Sequence, residues 1–292
     1  MEWTEGLKQA LEFIEAHLLE EISVEDVAAH IYLSPFYFQK GFKLITGYTV
    51  GEYVRNRRLY LAALEIVKGD KRVIDLAYKY GYDTPESFSK AFTRLHGVSP
   101  IQVKEQPYKM KTFQPLQVSL SIKGADKLEY RIEKMEAFKI IGMDRIFRYD
   151  CAFDEIPLYW EEYVKQCMTE KNEEIRDAWM AYNIGVYGIC IEEERGCDTF
   201  QYLIAGPYKE DKRVYPDSFK VITIPALTWA KFKCIGPMPE TIQSLNRRIF
   251  EEWLPANRHY EIIAGYNIEV YFKGDIKSVD YISEIWIPVR VI

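Results

Sequence analysis

The sequence predicts two domains of different class: an all-α double helix-turn-helix domain over residues 1–104 and an α+β domain with internal pseudo-twofold symmetry over 128–292, joined by a linker at 105–127. Three observations carry this. The chain has 292 residues, which suits two domains at about 150 residues each. The first third has a helical period and repeats itself after about 50 residues. From residue 128 the texture changes to β-rich runs that also repeat.

The first domain reads as a series of capped helices. Trp3, Leu7, Ala10, Leu11, Ile14 and Leu18 fall on one helical face. Ser23 caps a short helix through His30, and Ser34-Pro35 opens the next with proline in the first turn. Thr49 caps a long helix ending near Lys68-Gly69-Asp70. A short helix over about 73–80 stops at Gly81, Asp83 or Thr84 caps another ending at His96-Gly97, and Ser99-Pro100 begins a last turn. Val24, Asp26, Val27 and Ala28 recur 49 residues later as Val73, Asp75, Leu76 and Ala77. Phe38, Lys40, Phe42 and Gly47 recur 50 later as Phe88, Lys90, Phe92 and Gly97. A short helix, a tight turn and a second helix therefore occur twice.

Residues 105–127 hold Pro107, Pro115 and Gly124 without helical period, with a short strand expected near Gln117–Ser121. Beyond them, eight β-rich runs are interrupted by helical stretches at about 155–170 and 239–254. The segment Ile132–Phe138 aligns with Val221–Leu227, Ile184–Tyr187 with Ile268–Tyr271, and Phe200–Pro207 with Tyr281–Pro288. Each copy reads strand–helix–strand–strand.

Composition excludes several classes. Apolar residues make up 48% and charged residues 28%, which excludes disorder. The longest apolar runs are too short for a membrane span, and the start Met1-Glu2-Trp3-Thr4-Glu5 is acidic where a secretory signal is basic. Cys151, Cys167, Cys190, Cys197 and Cys234 form no CxxC, and four histidines are scattered. The expectation is no disulfide framework, no metal, no cofactor and a cytoplasmic setting.

The net charge of −6 hides a pattern: residues 1–35 carry −7, 36–104 carry +6 and 105–292 carry −5. The basic middle is the footprint expected of a nucleic-acid-binding segment. In the first recognition helix Phe38, Phe42 and Ile45 face inward and Phe36, Gln39, Lys40 and Lys43 outward. In the second, Phe88, Phe92 and Leu95 face inward and Glu86, Ser89, Lys90 and Arg94 outward. Glutamine suits adenine, lysine suits guanine or phosphate, and glutamate suits a cytosine amino group. These eight outward residues are the expected DNA contacts, and an ordinary solvated amphipathic helix is the competing reading of each.

Residues 8–104 resemble the DNA-binding domain of the AraC/XylS family of regulators. The resemblance rests on Ile22–Ala28, Ser34–Lys43, Asp75–Tyr82 and above all Phe88-Ser89-Lys90-Ala91-Phe92-Thr93-Arg94-Leu95-His96-Gly97-Val98-Ser99-Pro100. It implies two recognition helices entering adjacent major grooves. The N-terminal placement of this domain is similar to the right origin-binding protein branch. Pro85-Glu86 departs from that branch, where polar amides are usual, so base preference does not transfer. The second half resembles GyrI-like effector-binding domains through its duplication and its ending Glu284-Ile285-Trp286-Ile287-Pro288-Val289. That resemblance implies an aromatic-lined cleft between the copies, often with one buried carboxylate.

Two carboxylates are unmatched in the duplication: Glu284 aligns with Leu203 and Glu269 with Gly185. Strand alternation puts Glu284 with Trp286 and Glu269 with Tyr271. A carboxylate beside aromatic walls suits a lipophilic cation. Trp160, Tyr163, Tyr187 and Trp253 complete the expected ligand set, against the alternative that each is core and each carboxylate faces solvent. The resulting expectation is a ligand-responsive transcription activator and no enzyme, binding duplex DNA and a small amphipathic effector, with RNA polymerase as a further partner. The rival readings are a small-molecule hydrolase and a ligand-independent DNA-binding protein whose second domain contacts partners.

Overall fold

The computed structural model describes residues 3–69, 71–118, 128–169, 173–192, 199–210, 215–263 and 265–292. They divide into two compact units, one within Met1–Tyr32 and Thr46–Ser121, the other within Leu33–Ile45 and Ile122–Ile292.

The first unit is helical. Helix α1 (Trp3–Ala16) buries Trp3, Leu7, Ala10, Leu11 and Ile14, the predicted face. Helix α2 (Val24–His30) starts at a capping box, in which the Ser23 hydroxyl accepts from the Asp26 N–H and the Asp26 carboxylate accepts from the Ser23 N–H. Helix α3 (Pro35–Thr46) belongs by its packing to the second unit. Helix α4 (Val50–Lys68) opens on a Thr49–Glu52 capping box and stops at Gly69, whose φ of 84° favours glycine. Helix α5 (Val73–Lys79), helix α6 (Pro85–His96, capped by Thr84) and helix α7 (Pro100–Glu105, capped by Ser99) follow. The core beneath α5 and α6 joins Leu76, Ala77, Phe88 and Phe92 to Leu59, Ala62, Ala63 and Ile66 of α4.

The expected linker is partly structured. Pro107–Lys109 forms a 3-10 turn, and the irregular segment after it is hydrogen-bonded to α4. Arg57 Nη1 donates to the Phe113 carbonyl at 2.6 Å, Gln114 Nε2 to the Tyr60 hydroxyl at 2.9 Å, and the Leu116 N–H to the Tyr53 hydroxyl at 3.2 Å. Gln117 and Val118 form no strand, and the remainder of that expected strand lies outside the described residues.

The second unit is built on an antiparallel sheet with helices on one face. Its order is β1 (Tyr130–Met135), β2 (Phe138–Arg148), α8 (Ala152–Met168), α9 (Glu173–Tyr182), β3 (Tyr187–Ile191), β4 (Thr199–Pro207), β5 (Lys220–Ile224), β6 (Leu227–Ile235), α10 (Glu240–Arg248), β7 (Tyr260–Ile262), β8 (Tyr266–Tyr271) and β9 (Ile282–Val291). A π-helical turn, Ile249–Trp253, continues α10. Across the sheet the strands run β1-β6-β9-β8-β3-β4-β2-β5, with β7 on β9. The order is its own mirror about the β8–β3 junction when β1 is matched with β5, β6 with β2 and β9 with β4. This is the predicted pseudo-twofold, with a further strand opening each copy. Helix α9 escaped the sequence reading because it is short and its first turn is charged.

Register separates the faces, since directly paired residues point the same way. Glu269 pairs with Gly188 and Ile285, whereas Trp286 pairs with Ile268, and Glu284 with Val270. Ile189, Leu203, Trp229, Ile268, Val270 and Trp286 pack together as the core of the face away from Glu269.

Glycine fit yields opposite expectations in the two units. A Cβ at Gly206 would lie 2.1 Å from the Tyr182 carbonyl oxygen at the end of α9, backbone that cannot swing aside. Gly206→Ala is expected to destabilise the second unit by about 1–3 kcal/mol, the usual cost of overpacking. Gly51 in α4 has open space around its Cβ position, so Gly51→Ala is expected to stabilise the first unit by about 0.5 kcal/mol. Denaturant titration of both variants checks the pair.

Candidate functional site

Two surfaces are candidates for function. The first is the outer face of α6. Phe88 and Phe92 are fully buried, which turns Glu86, Lys90 and Arg94 into solvent, with Ser89 half-buried between them. The Thr84 cap and Pro85 at the first helical position fix where the helix begins. Its exposed row carries two cations and one carboxylate, the chemistry that phosphates and base edges require.

The second is a cleft of about 1440 Å³ in the second unit. Its floor comes from β3, β4 and β8, its walls from α8, α9 and α10, and one side from α3. Glu269 stands on the floor. Asn246 Nδ2 of α10 donates to its Oε1 at 3.2 Å and the Tyr271 hydroxyl to its Oε2 at 2.7 Å. Burial, with Glu269 beside it, holds the Tyr271 phenol well above its ordinary pKa, so it stays a donor. Trp160 meets Tyr271 edge-on at 5.5 Å and donates from Nε1 to the Tyr202 hydroxyl at 2.8 Å. Toward the mouth the lining turns apolar, with Val164, Met168, Trp179 and Met180 partly exposed. The Cys190 thiol also faces the cleft, pushed far above its ordinary pKa by burial.

Helix α3 departs from expectation. Phe38 and Phe42 are buried as its period requires, but the opposite face is covered too. Gln39 is 1% exposed and Lys40 8%. Phe36 packs on Phe200 at 5.2 Å, and Lys40 Nζ donates to Asn267 Oδ1 at 3.0 Å while standing 3.8 Å from Glu269 Oε1. Phe36, Gln39, Lys40 and Lys43 all line the cleft. Periodicity assigned them an outward face; it carried no information about what packs against that face.

The expected ligand residues separate into two groups. Glu269, Tyr271, Trp160 and Tyr163 line the cleft. Glu284 and Trp286 lie on the opposite sheet face, and Tyr187 packs there on Trp286 with ring centroids 6.2 Å apart. Trp253 is buried against Phe232, with centroids 5.0 Å apart, rather than lining the cleft. Two-residue spacing places a glutamate with its aromatic neighbour but does not say which face either pair takes. Glu284 is instead the hub of an ion network. Arg131 donates to both carboxylate oxygens at 2.8 and 2.9 Å, the Trp286 indole donates at 2.7 Å, and Lys231 Nζ sits 3.9 Å over the Trp286 ring. Phe200 and Tyr202 are cleft residues that the sequence reading missed. Their signal was present, as two aromatics at alternate positions of one β run.

Among the described residues, no group of three or more His, Cys, Asp or Glu is placed to hold a metal ion, and no helix is long and apolar enough to cross a membrane. Residues 131–289 match the family model described as integron-associated effector binding protein, and residues 27–106 match that of a helix-turn-helix domain. The HTH-type transcriptional activator AarP of Providencia stuartii is 37% identical over 94 residues, 32% of this chain and 70% of that protein. The right origin-binding protein of Escherichia coli K12 is 26% identical over 150 residues, 51% of this chain and only 50% of its own length. A bacterial transcription regulation protein from Staphylococcus aureus MU50 superimposes with a TM-score of 0.46 at 21% identity, covering 56% of this chain and 99% of that one.

The two glutamates separate by their expected behaviour. Burial raises the Glu284 carboxyl pKa, but the Arg131 and Trp286 hydrogen bonds and the nearby cations outweigh it, leaving it below its ordinary 4.5. A depressed carboxylate stabilises the fold above the unfolded-state value, and this is lost as pH falls through the folded one. Glu284→Gln is expected to cost about 1 kcal/mol at pH 7, to flatten the acid limb of the stability curve below pH 4.5, and to leave cleft affinities unchanged. Thermal unfolding across pH 3–7 (about half-unit steps), beside a ligand titration at pH 7, checks both parts.

Proposed function

Because the chain belongs to the integron-associated effector-binding family and carries an AraC-type helix-turn-helix domain, we propose that it is a transcription activator controlled by a small lipophilic cation held in the cleft on Glu269. The observation that carries this reading is the Glu269 carboxylate itself. It is polarised by Asn246 and Tyr271, flanked by Trp160, and set in a cleft whose mouth is apolar. Such a site offers a cation charge and aromatic faces together, and offers a neutral molecule of the same shape only the latter. An aromatic-walled, largely apolar cleft with few polar groups is the usual form of a small-molecule site.

DNA recognition is assigned to Glu86, Ser89, Lys90 and Arg94 of α6 and to Phe36, Gln39, Lys40 and Lys43 of α3, each helix serving one major groove. RNA polymerase is the partner through which the activator would act. The relatives named above as regulators support a binding protein rather than an enzyme.

Two measurements test this. Lys90→Ala and Arg94→Ala are each expected to weaken duplex binding roughly uniformly across sequences and to lower the salt slope by about one, as loss of a phosphate contact does. Unchanged affinity in both removes α6 from the interface. Glu269→Gln keeps the shape of the cleft and removes its charge. It is expected to weaken tetraphenylphosphonium binding about 30-fold, equivalent to about 2 kcal/mol, and triphenylphosphine oxide binding by less than about threefold. Equal losses for both probes would overturn the choice of a cationic effector.

A further inference from the structure

We propose that Lys40 is the cleft's own resident cation, and that a cationic effector binds by displacing it, so that filling the cleft and freeing helix α3 for DNA are one exchange. This rests on the preceding reading of the cleft and adds how the site is regulated.

Among the described residues, hydrogen bonds at three positions fasten helix α3 to the rest of the second unit. At its start the Phe36 N–H donates to Glu192 Oε1 at 3.0 Å, and Glu192 is itself held by the Tyr149 hydroxyl at 3.1 Å and the Gly265 N–H at 3.3 Å. A carboxylate at that position also complements the positive end of the helix. One residue on, the Tyr37 hydroxyl donates to the Tyr266 carbonyl at 2.6 Å. One turn further, Lys40 Nζ donates to Asn267 and faces Glu269. The face held this way carries Phe36, Gln39, Lys40 and Lys43, the four residues assigned to DNA. One helix face cannot lie against the cleft and in a DNA groove at once. The internal duplication supplies a comparison within the same chain: Lys90, the counterpart of Lys40, is exposed on α6.

The energetics make the exchange specific to cations. The Lys40 side chain is 10% exposed and that of Glu269 21%. Removing one member of such a pair strands a poorly solvated charge, which is costly. Replacing Lys40 by another cation strands no charge, because Glu269 keeps a positive partner and the ammonium, a strongly hydrated point charge, returns to water. A neutral occupant would leave Glu269 unpaired or would have to bind beside Lys40. Linkage then demands reciprocity: docked α3 weakens cation binding by the same factor by which the bound cation weakens the hold on α3.

The test is calorimetric titration of tetraphenylphosphonium into the full chain and into Lys40→Met and Lys40→Arg. Methionine keeps the packing and removes the competitor, so binding is expected to tighten at least tenfold. Arginine restores the charge and is expected to stay within about threefold of wild type. Hydrogen exchange of the α3 amides is expected to speed up when the cation is added to wild type. Equal affinity in all three proteins, or weaker binding to Lys40→Met, overturns the displacement and leaves the cationic cleft standing. No binding to any of the three overturns the cationic cleft and the displacement with it. Tighter binding to Lys40→Met without faster exchange in α3 overturns the release of the helix.

Discussion

The pairing of β3 with β8 fixes which residues of the sheet form the floor of the cleft. It joins the two copies of the duplicated domain at the centre of the sheet and sets Gly188 opposite Glu269. That register turns Glu269 and Tyr271 toward the helices and leaves no β3 side chain directly opposite Glu269. The vacant space is taken by the Trp160–Tyr202 pair, since a Cβ at Gly188 would stand 2.4 Å from the Tyr202 hydroxyl. A slip of one residue would send the carboxylate into the opposite core.

The two faces of this sheet treat charge differently. On the core side, Glu284, Arg131, Glu133 and Lys231 pair with one another. On the cleft side, Glu269 is met by neutral donors from α10 and β8, and its cationic partner comes from α3, a helix distant in sequence. Both glutamates sit beside aromatics in β runs, yet one belongs to the frame of the unit and the other to its cleft.

Much of the fold was legible because it is written locally. Capping boxes at Ser23, Thr49 and Ser99 are four-residue signals, and the repeats of Phe38 as Phe88 and Lys40 as Lys90 need only comparison of the chain with itself. The cleft was half legible. Alternation groups residues by face, but the choice between Glu269 and Glu284 depends on sheet register, a property of strands far apart in sequence. The covered face of α3 was not legible at all. Its amphipathic pattern is that of α6, whose outer residues are exposed, and the difference lies in long-range partners such as Glu192 and Tyr266.

The chain position of α3 has a kinetic consequence. The segment Leu33–Ile45 packs with the second unit, yet the residues on either side of it, up to Tyr32 and from Thr46, belong to the first. The helix is thus covalently anchored at both ends to a unit other than the one it packs against. Its departure from the cleft and its return are first-order events, so their balance does not shift with the amount of protein. The local concentration of Lys40 that a diffusing cation must outcompete is set by the chain itself. Expression level would therefore change how many molecules respond, and leave unchanged the cation concentration at which each one does.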